Sequence, residues 1–307
     1  MRTHFRPNRR QMLAGAAATA TTLAVPGLPA ASSPIMRRVP STGEMIPAIG
    51  LGTWVEFNVG NIPSLRENCL AITRQFLEAG GGMIDGSPMY GTAEDVIGWS
   101  LEQISDHRNL VAATKIWTPG GGDTETEMRR SLDLWHRDRF DVLQVHNLVD
   151  WEQHLPYLFE AKAEGRIGYV GITTSHGSRH AEMEKLMRDH RLDFIQLTYN
   201  ALDRGPENRL LPLAQDRGIA VIANRPFRRG GLFEHVGNAP LPAFVDDYGI
   251  RTWSQFFLKF ILAHPAITCA IPATSVLDHL GENMAALVGP LPDQKTAQAM
   301  AAYVEAL

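Results

Sequence analysis

Eight short apolar segments, each followed by an amphipathic stretch, constrain the fold of this 307-residue chain more than any other feature. They lie at 49–54, 83–85, 110–115, 141–146, 168–173, 194–199, 219–224 and 268–273. Their sequences, such as LVAATK and IAVIAN, show little alternation of apolar and polar residues, which is typical of parallel strands buried on both faces. Helical periodicity occupies the stretches at 66–79, 92–104, 123–137, 151–164, 178–190, 208–217, 251–263, 277–287 and 293–306.

This alternation predicts an α/β fold of the (β/α)₈ TIM-barrel type. Gly80 and Gly218 directly follow helical stretches, where a left-handed C-terminal cap is favoured. Before the first strand, residues 35–50 predict a β-hairpin that turns at Ser41–Glu44. The alternative is a doubly wound open sheet, but the G-x-G-x-x-G turn that usually follows its first strand is not present.

The first 32 residues differ in composition from the rest of the chain. They contain several arginines, then a weakly apolar Ala/Thr/Leu run, then small residues, which is the layout of a targeting peptide. Arg9 and Arg10, followed by Gln-Met-Leu, resemble the twin-arginine export signal. The apolar run of roughly 14 residues is too short for a stable membrane span. We therefore expect residues 1–32 to be an export signal that is cleaved near 30–33, and residues 33–307 to be the barrel domain.

Such a signal implies that the export machinery is a partner and that the protein is exported to the periplasm; an uncleaved N-terminal tail is the alternative. The net charge is −4, and no basic block follows the N-terminal segment, so nucleic acid is not an expected partner. Cys69 and Cys269 lie in apolar surroundings and are expected to be buried, and nothing supports a disulfide between them. His176 and His180 have helical spacing but lack an evident carboxylate partner, so no metal site is expected.

Reactive side chains follow three consecutive predicted strands. Asp85 ends the second strand, Tyr90 lies on the loop after it, Lys115 ends the third and His146 ends the fourth. Each also has a purely structural alternative. Asp85 could cap a helix and Tyr90 could be a packing residue. Lys115 could extend to the surface, and His146 could be a hydrogen-bonded core residue. Because barrel active sites lie at the carboxyl ends of the strands, we expect the four to meet.

Together the four groups can transfer a proton. A tyrosine is a weak acid, and a neighbouring ammonium group would lower its pKa. We expect Lys115 to have this effect on Tyr90, and Asp85 to hold Lys115. His146 could then orient a substrate oxygen toward the phenol.

The stretch MIDGSPMYG at 83–91 resembles the aldo/keto reductase signature. Further matches occur in order along the chain, at 46–54, 113–117, 143–147, 164–173, 195–200 and 271–283. The resemblance implies a (β/α)₈ barrel whose bottom is closed by the hairpin, with a nicotinamide cofactor bound across its top. It further implies that a carbonyl is reduced to an alcohol, or the reverse. Tyr90 would be the general acid, Lys115 and Asp85 would adjust its acidity, and His146 would orient the carbonyl.

The same resemblance assigns the remaining site residues. Trp54, Trp117 and Asn147 match positions at the substrate pocket, and Gln196 matches the residue that bonds the nicotinamide carboxamide. The other implied cofactor contacts are Thr53, Asp85, Thr173, Thr174, Asn224, Arg225, Pro226, Phe227, Thr274, Ser275, His279, Glu282 and Asn283.

Three departures from the family pattern concern the cofactor. Thr173–Thr174 replace Ser–Asn, Asn224 replaces an aromatic residue, and Ala273 and His279 replace cations near the 2′-phosphate. Arg225, with the Arg228–Arg229 pair, could compensate at the phosphates. We expect NADP(H) in preference to NAD(H).

The alternative functions are an exported cofactor-binding sensor or accessory module with little turnover, and a metal-dependent barrel hydrolase.

Overall fold

The computed structural model describes residues 33–120 and 122–307, so the predicted export signal at 1–32 lies outside the described residues. The chain begins with an antiparallel hairpin of β1 (Met36–Arg38) and β2 (Met45–Pro47). Eight parallel strands follow: β3 (Leu51–Gly52), β4 (Met83–Asp85), β5 (Val111–Ile116), β6 (Phe140–Val145), β7 (Ile167–Thr173), β8 (Phe194–Thr198), β9 (Ala220–Asn224) and β10 (Ile267–Ala270).

Ten helices accompany the strands in the described part of the chain. They are α1 (Pro63–Glu78), α2 (Ala93–Glu102), α3 (Thr124–Trp135), α4 (Trp151–Ala163), α5 (His180–Asp189), α6 (Leu210–Arg217), α7 (Gly231–Val236), α8 (Trp253–Ala263), α9 (Leu277–Ala285) and α10 (Gln294–Glu305). Gly80 and Gly218 have φ values of 87° and 66° after α1 and α6, which confirms the predicted left-handed caps. None of the helices between residues 33 and 307, the undescribed position 121 aside, is long and apolar enough to cross a membrane.

The eight parallel strands form a closed barrel. Each strand from β3 to β10 pairs with its neighbours in chain order. The last strand returns to the first, because Gly50 N donates to Ala270 O (2.8 Å) and Ala270 N donates to Ala48 O (2.9 Å). This closure confirms the (β/α)₈ fold and excludes the open doubly wound sheet.

Side chains inside the barrel form a core separate from the one under the helices. The interior set comprises Val39, Ile46, Met83, Val111, Ala113, Val142, Tyr169, Phe194, Ala220, Ile222, Cys269 and Ile271. Two of these, Val39 and Ile46, come from the hairpin region, so the hairpin contributes to the barrel core as the resemblance implied. Cys69 and Cys269 are both buried and free. Because alternate residues of a strand face opposite sides, the inward positions beyond this core lie toward the carboxyl ends, where the site is.

Candidate active site

Asp85 and Lys115 form a buried ion pair on adjacent strands. Asp85 is opposite Ala113 in the parallel register, so Lys115 projects two residues further on the same inward face. Lys115 Nζ lies 2.7 Å from Asp85 Oδ2 and 2.7 Å from Gly86 O. Burial lowers the pKa of Lys115, but the attraction of Asp85 and Tyr90 outweighs it and leaves the pKa above the ordinary value. The ammonium group therefore stays charged beneath the site.

Gln196 joins this pair from the opposite side of the barrel. Its Nε2 donates to Asp85 Oδ1 at 2.9 Å, so both carboxylate oxygens of Asp85 accept a hydrogen bond. Thr53 Oγ1 donates to the backbone oxygen of Asp85 at 2.8 Å. The resemblance assigned Gln196 to the cofactor carboxamide. Because its nitrogen is engaged by Asp85, its amide oxygen is the group left for a ligand.

Tyr90 ends a short 3₁₀ turn, Pro88–Tyr90, just beyond β4. Lys115 Nζ lies 5.2 Å from the centroid of its ring, and the ring meets His146 edge-on at a centroid distance of 5.7 Å. Burial raises the pKa of the phenol, whereas Lys115 lowers it by a smaller amount. Lys115 therefore acts on the pKa of Tyr90 in the predicted direction, but burial outweighs it and the net pKa is raised. Desolvation of the phenolate, which the sequence pattern does not show, is the larger effect.

His146 follows β6 directly, at the start of the turn His146–Leu148. Its Nδ1 lies 2.8 Å from Ser87 Oγ. Burial, and then the charge of Lys115, lower the pKa of His146 to about 3. The ring is therefore neutral at any ordinary pH, and it can act as a hydrogen-bond donor but not as a cation.

A cavity of about 940 Å³ opens beside Tyr90 and His146. All the residues that the resemblance assigned to the cofactor line it, as do Trp54 and Asn147. Trp117 is not among the lining residues, so the structure does not bring it into the pocket. Strand β5 ends at Ile116, and the backbone N–H of Trp117 donates to the carboxylate of Glu127 on α3.

The departures from the family pattern have defined partners in the structure. Asn224 Nδ2 donates to Thr174 O at 2.9 Å, and its Oδ1 accepts from Thr198 Oγ1 at 2.8 Å. Asn224 thus ties the ends of three strands together instead of offering an aromatic face. Thr173 Oγ1 accepts from Asn147 N at 2.8 Å, so its own hydroxyl proton is the part available to a ligand.

The other end of the cavity is lined by Thr274, Ser275, His279, Glu282 and Asn283. Glu282 accepts from Ser254 Oγ at 2.9 Å. The amide oxygen of Asn283 is buried and has no hydrogen-bond partner among the described residues. Since buried polar atoms are normally paired, this oxygen fits a ligand that brings an N–H donor, as an adenine amino group does. The wall is thus compatible with a dinucleotide.

Residues that the sequence interpretation missed complete the cavity wall. Phe233 and Trp253 line it on the side of α7 and α8, and His176 lines it after β7. Arg229, which the sequence analysis had named only as a possible phosphate contact, extends its guanidinium group over Trp54, 4.3 Å from the ring centroid. Their local sequence carried no motif; the only signal was their place in the segments that follow strands β7 and β9.

Comparison with known proteins agrees with the fold. The model of the aldo/keto reductase family matches residues 48–303. The chain belongs to the aldo/keto reductase family. It is 26% identical to methylglyoxal reductase YeaE of Escherichia coli over 264 residues, which cover 84% of this chain and 91% of that protein. It is 27% identical over 234 residues to an NADH-specific methylglyoxal reductase of the same organism, covering 64% of this chain and 68% of that one.

Among solved structures, an aldo/keto reductase from Klebsiella pneumoniae in complex with NADP and acetate matches with a TM-score of 0.72 and 24% identity, covering 87% of this chain and 95% of that chain. At that identity the match supports the fold. Family membership gives the activity: this aldo/keto reductase is an NAD(P)H-dependent oxidoreductase that interconverts carbonyl compounds and alcohols. The sensor alternative is not favoured.

Proposed function

We propose that this aldo/keto reductase is an NADP(H)-dependent carbonyl reductase in which Tyr90 is the general acid. The observation that carries this assignment is the arrangement around Tyr90. Its ring lies over the buried Asp85–Lys115 ion pair and meets the neutral His146, and both rings line one cavity. That arrangement suits protonation of an oxygen on which negative charge develops.

Each protein group has a separate task in this proposal. The nicotinamide, when bound, supplies the hydride for the carbonyl carbon. His146 donates a hydrogen bond to the carbonyl oxygen and holds it beside Tyr90. The Tyr90 hydroxyl gives its proton to that oxygen, and the nearby charge of Lys115 stabilises the phenolate that results. Asp85 and Gln196 keep Lys115 in place, because their hydrogen bonds fix the carboxylate to which it is paired.

The preference for NADP(H) is part of the proposal. Thr274, Ser275 and His279 line the end of the cavity where family members bind the 2′-phosphate, and Arg225 lines it elsewhere. Hydroxyl groups can donate to a phosphate but lack the bidentate charge of arginine, so we expect a modest preference. It can be measured by titrating NADPH and NADH separately and following the quenching of tryptophan fluorescence. Equal or tighter binding of NADH would contradict it.

Small aldehydes and ketones are the proposed substrates. Two relatives are named for methylglyoxal, which makes 2-oxoaldehydes the first compounds to test. Trp54 and Met89 line the cavity near Tyr90 and give this part of it an apolar character.

The test compares the wild-type chain with Tyr90→Phe, which removes only the hydroxyl. We expect NADPH oxidation with at least one aldehyde or ketone of a panel, and at least about a 100-fold loss of turnover in the variant, the lower range of general-acid contributions. Cofactor binding, measured by fluorescence, should be unchanged. Wild-type turnover that survives in Tyr90→Phe would refute the role of Tyr90. Cofactor binding without turnover on any substrate would instead favour a sensor.

We also propose that residues 1–32 are a twin-arginine export signal and that the barrel domain, residues 33–307, functions in the periplasm. The proposal rests on Arg9–Arg10 and on the composition of the segment.

A further inference from the structure

Ser87 lies between Asp85 and Tyr90 in the sequence, and its side chain contacts His146. Its side chain is fully buried. Its Oγ lies 3.2 Å from the backbone nitrogen of Met89 and 2.8 Å from Nδ1 of His146. Among the described residues these are the two hydrogen-bond partners of the hydroxyl group.

The direction of both hydrogen bonds follows from counting protons. The Met89 N–H can only donate, so Ser87 Oγ accepts there. The hydroxyl proton of Ser87 is buried and needs an acceptor, and His146 Nδ1 is the one within reach. Ser87 therefore donates to Nδ1. Because burial lowers the pKa of His146 to about 3, the neutral ring carries one proton, which must then be on Nε2.

We propose that Ser87 is a positioning residue that fixes His146 in the tautomer with its proton on Nε2, so that the ring donates a hydrogen bond to the substrate oxygen. His146 lines the cavity, and Nε2 has no partner among the described residues. The opposite tautomer presents a lone pair to the carbonyl oxygen and repels it. The inference rests on the proposed function, because it assumes that the oxygen of a carbonyl substrate binds beside His146.

The same residue also places Tyr90. The bond from Met89 N to Ser87 Oγ caps the 3₁₀ turn, and Tyr90 N donates to Ser87 O at 2.9 Å. Ser87 thus sets the start of the turn that presents the phenol and the tautomer of the ring that faces it. The side chain of Ser87 therefore contributes to the placement of both Tyr90, the proton donor, and His146, the hydrogen-bond donor.

The tautomer can be read directly from ¹⁵N-histidine spectra of the protein without substrate. The chain has 11 histidines, and the spectrum of His146→Gln identifies the resonances of His146 by difference. We expect wild-type His146 to show a protonated Nε2 and an unprotonated Nδ1, and Ser87→Ala to lose this single pattern. A proton on Nδ1 in the wild type overturns the proposal. Because no substrate is needed, this result is independent of the Tyr90 test of the proposed function.

Kinetics provides the second measurement. We expect Ser87→Ala to lower kcat about tenfold, less than the roughly 100-fold cost of losing a transition-state donor altogether. Its affinity for NADPH should be unchanged. Asp293→Ala is the matched control, because it removes the N-cap that accepts from Thr296 N at α10 without touching the site, and it should leave kcat unchanged. A kcat for Ser87→Ala within about twofold of the wild type, or a loss equal to that in Asp293→Ala, overturns the proposal.

Discussion

At the scale of single residues, the site combines a charged half with a neutral half. Lys115 keeps its proton because Asp85 and Tyr90 offset the cost of burial. His146 meets the ring of Tyr90 edge-on, and burial keeps it neutral. If His146 were charged, it would compete with Lys115 for the phenolate and raise the cost of burying two cations. Lys115 is therefore charged because it is paired with Asp85, and His146 is neutral because it is buried without a carboxylate partner among the described residues.

The low pKa of His146 predicts a pH dependence of stability. The value is about 3 in the folded chain and near 6.5 when unfolded, so the unfolded chain takes up the proton first as the pH falls. His146 therefore costs nothing above pH 6.5, and it destabilises the fold progressively below that, by at most about 1.4 kcal/mol per pH unit.

Urea unfolding of the wild type and His146→Gln between pH 5 and pH 8 tests this. The variant should gain stability relative to the wild type as the pH is lowered. Thr173→Val, which changes a neighbouring side chain that does not titrate, should show a constant difference from the wild type. A constant difference for His146→Gln across the same range would show that the histidine is not held neutral by burial.

At the scale of elements, the helices after Tyr90 and Lys115 are linked behind the site. Glu94 on α2 is buried and accepts from Thr114 Oγ1 on β5 at 2.6 Å. On α3, Ser131 Oγ and Trp135 Nε1 donate to the same carboxylate at 3.0 and 3.1 Å. Thr114 precedes Lys115 and faces outward, so this network fixes the strand that carries Lys115 to the helix that follows Tyr90.

Close packing of α2 against α3 depends on a glycine. A Cβ added at Gly98 would lie 1.9 Å from the backbone oxygen of Leu134. Because that neighbour is backbone, Gly98→Ala must move a helix, and we expect destabilisation of about 1–3 kcal/mol. Gly205→Ala is the control, since nothing lies within 4 Å of its added Cβ. Urea unfolding measures both, and equal stabilities of the two variants would show that the helices do not depend on this contact.

The elements that the sequence predicted well are those with a strong local signal. The bounds of β4 were predicted to the residue, and the hairpin and the cap at Gly218 were confirmed, because apolar runs and glycines after helices depend on nearby residues alone. Helix α7 was missed because it is short and lies in a loop. Trp117 was placed in the pocket by resemblance, but it is not among the residues that line the cavity.

The same distinction applies to the site. Asp85, Tyr90, Lys115 and His146 could be predicted to meet because each follows a strand of a parallel barrel. The bond from Gln196 to Asp85 joins residues 111 positions apart, and it depends on how two side chains meet inside the barrel. The pKa of Tyr90 likewise depends mainly on burial, and burial cannot be predicted from the charged residues nearby in the sequence.

At the scale of the whole molecule, closure of the barrel bears on the export that we propose. The first and last strands pair, and the cavity is lined by residues from both ends of the chain, so the complete barrel must form before the cavity exists. A twin-arginine route, which carries folded proteins, would deliver this barrel with its cofactor site already assembled. The predicted signal and the fold are therefore compatible with loading of the nicotinamide before export.

The export proposal predicts a specific effect of the arginine pair. Arg9→Lys with Arg10→Lys keeps the positive charge of the segment but removes the pair, so we expect precursor to accumulate in the cytoplasm. The matched control is Arg2→Lys with Arg6→Lys, which makes the same chemical change in the same segment and leaves the pair intact. Fractionation of cells and immunoblotting for precursor and mature protein measures both. Export of the two variants to the same extent would refute a twin-arginine signal, because a signal that depends only on positive charge tolerates either change.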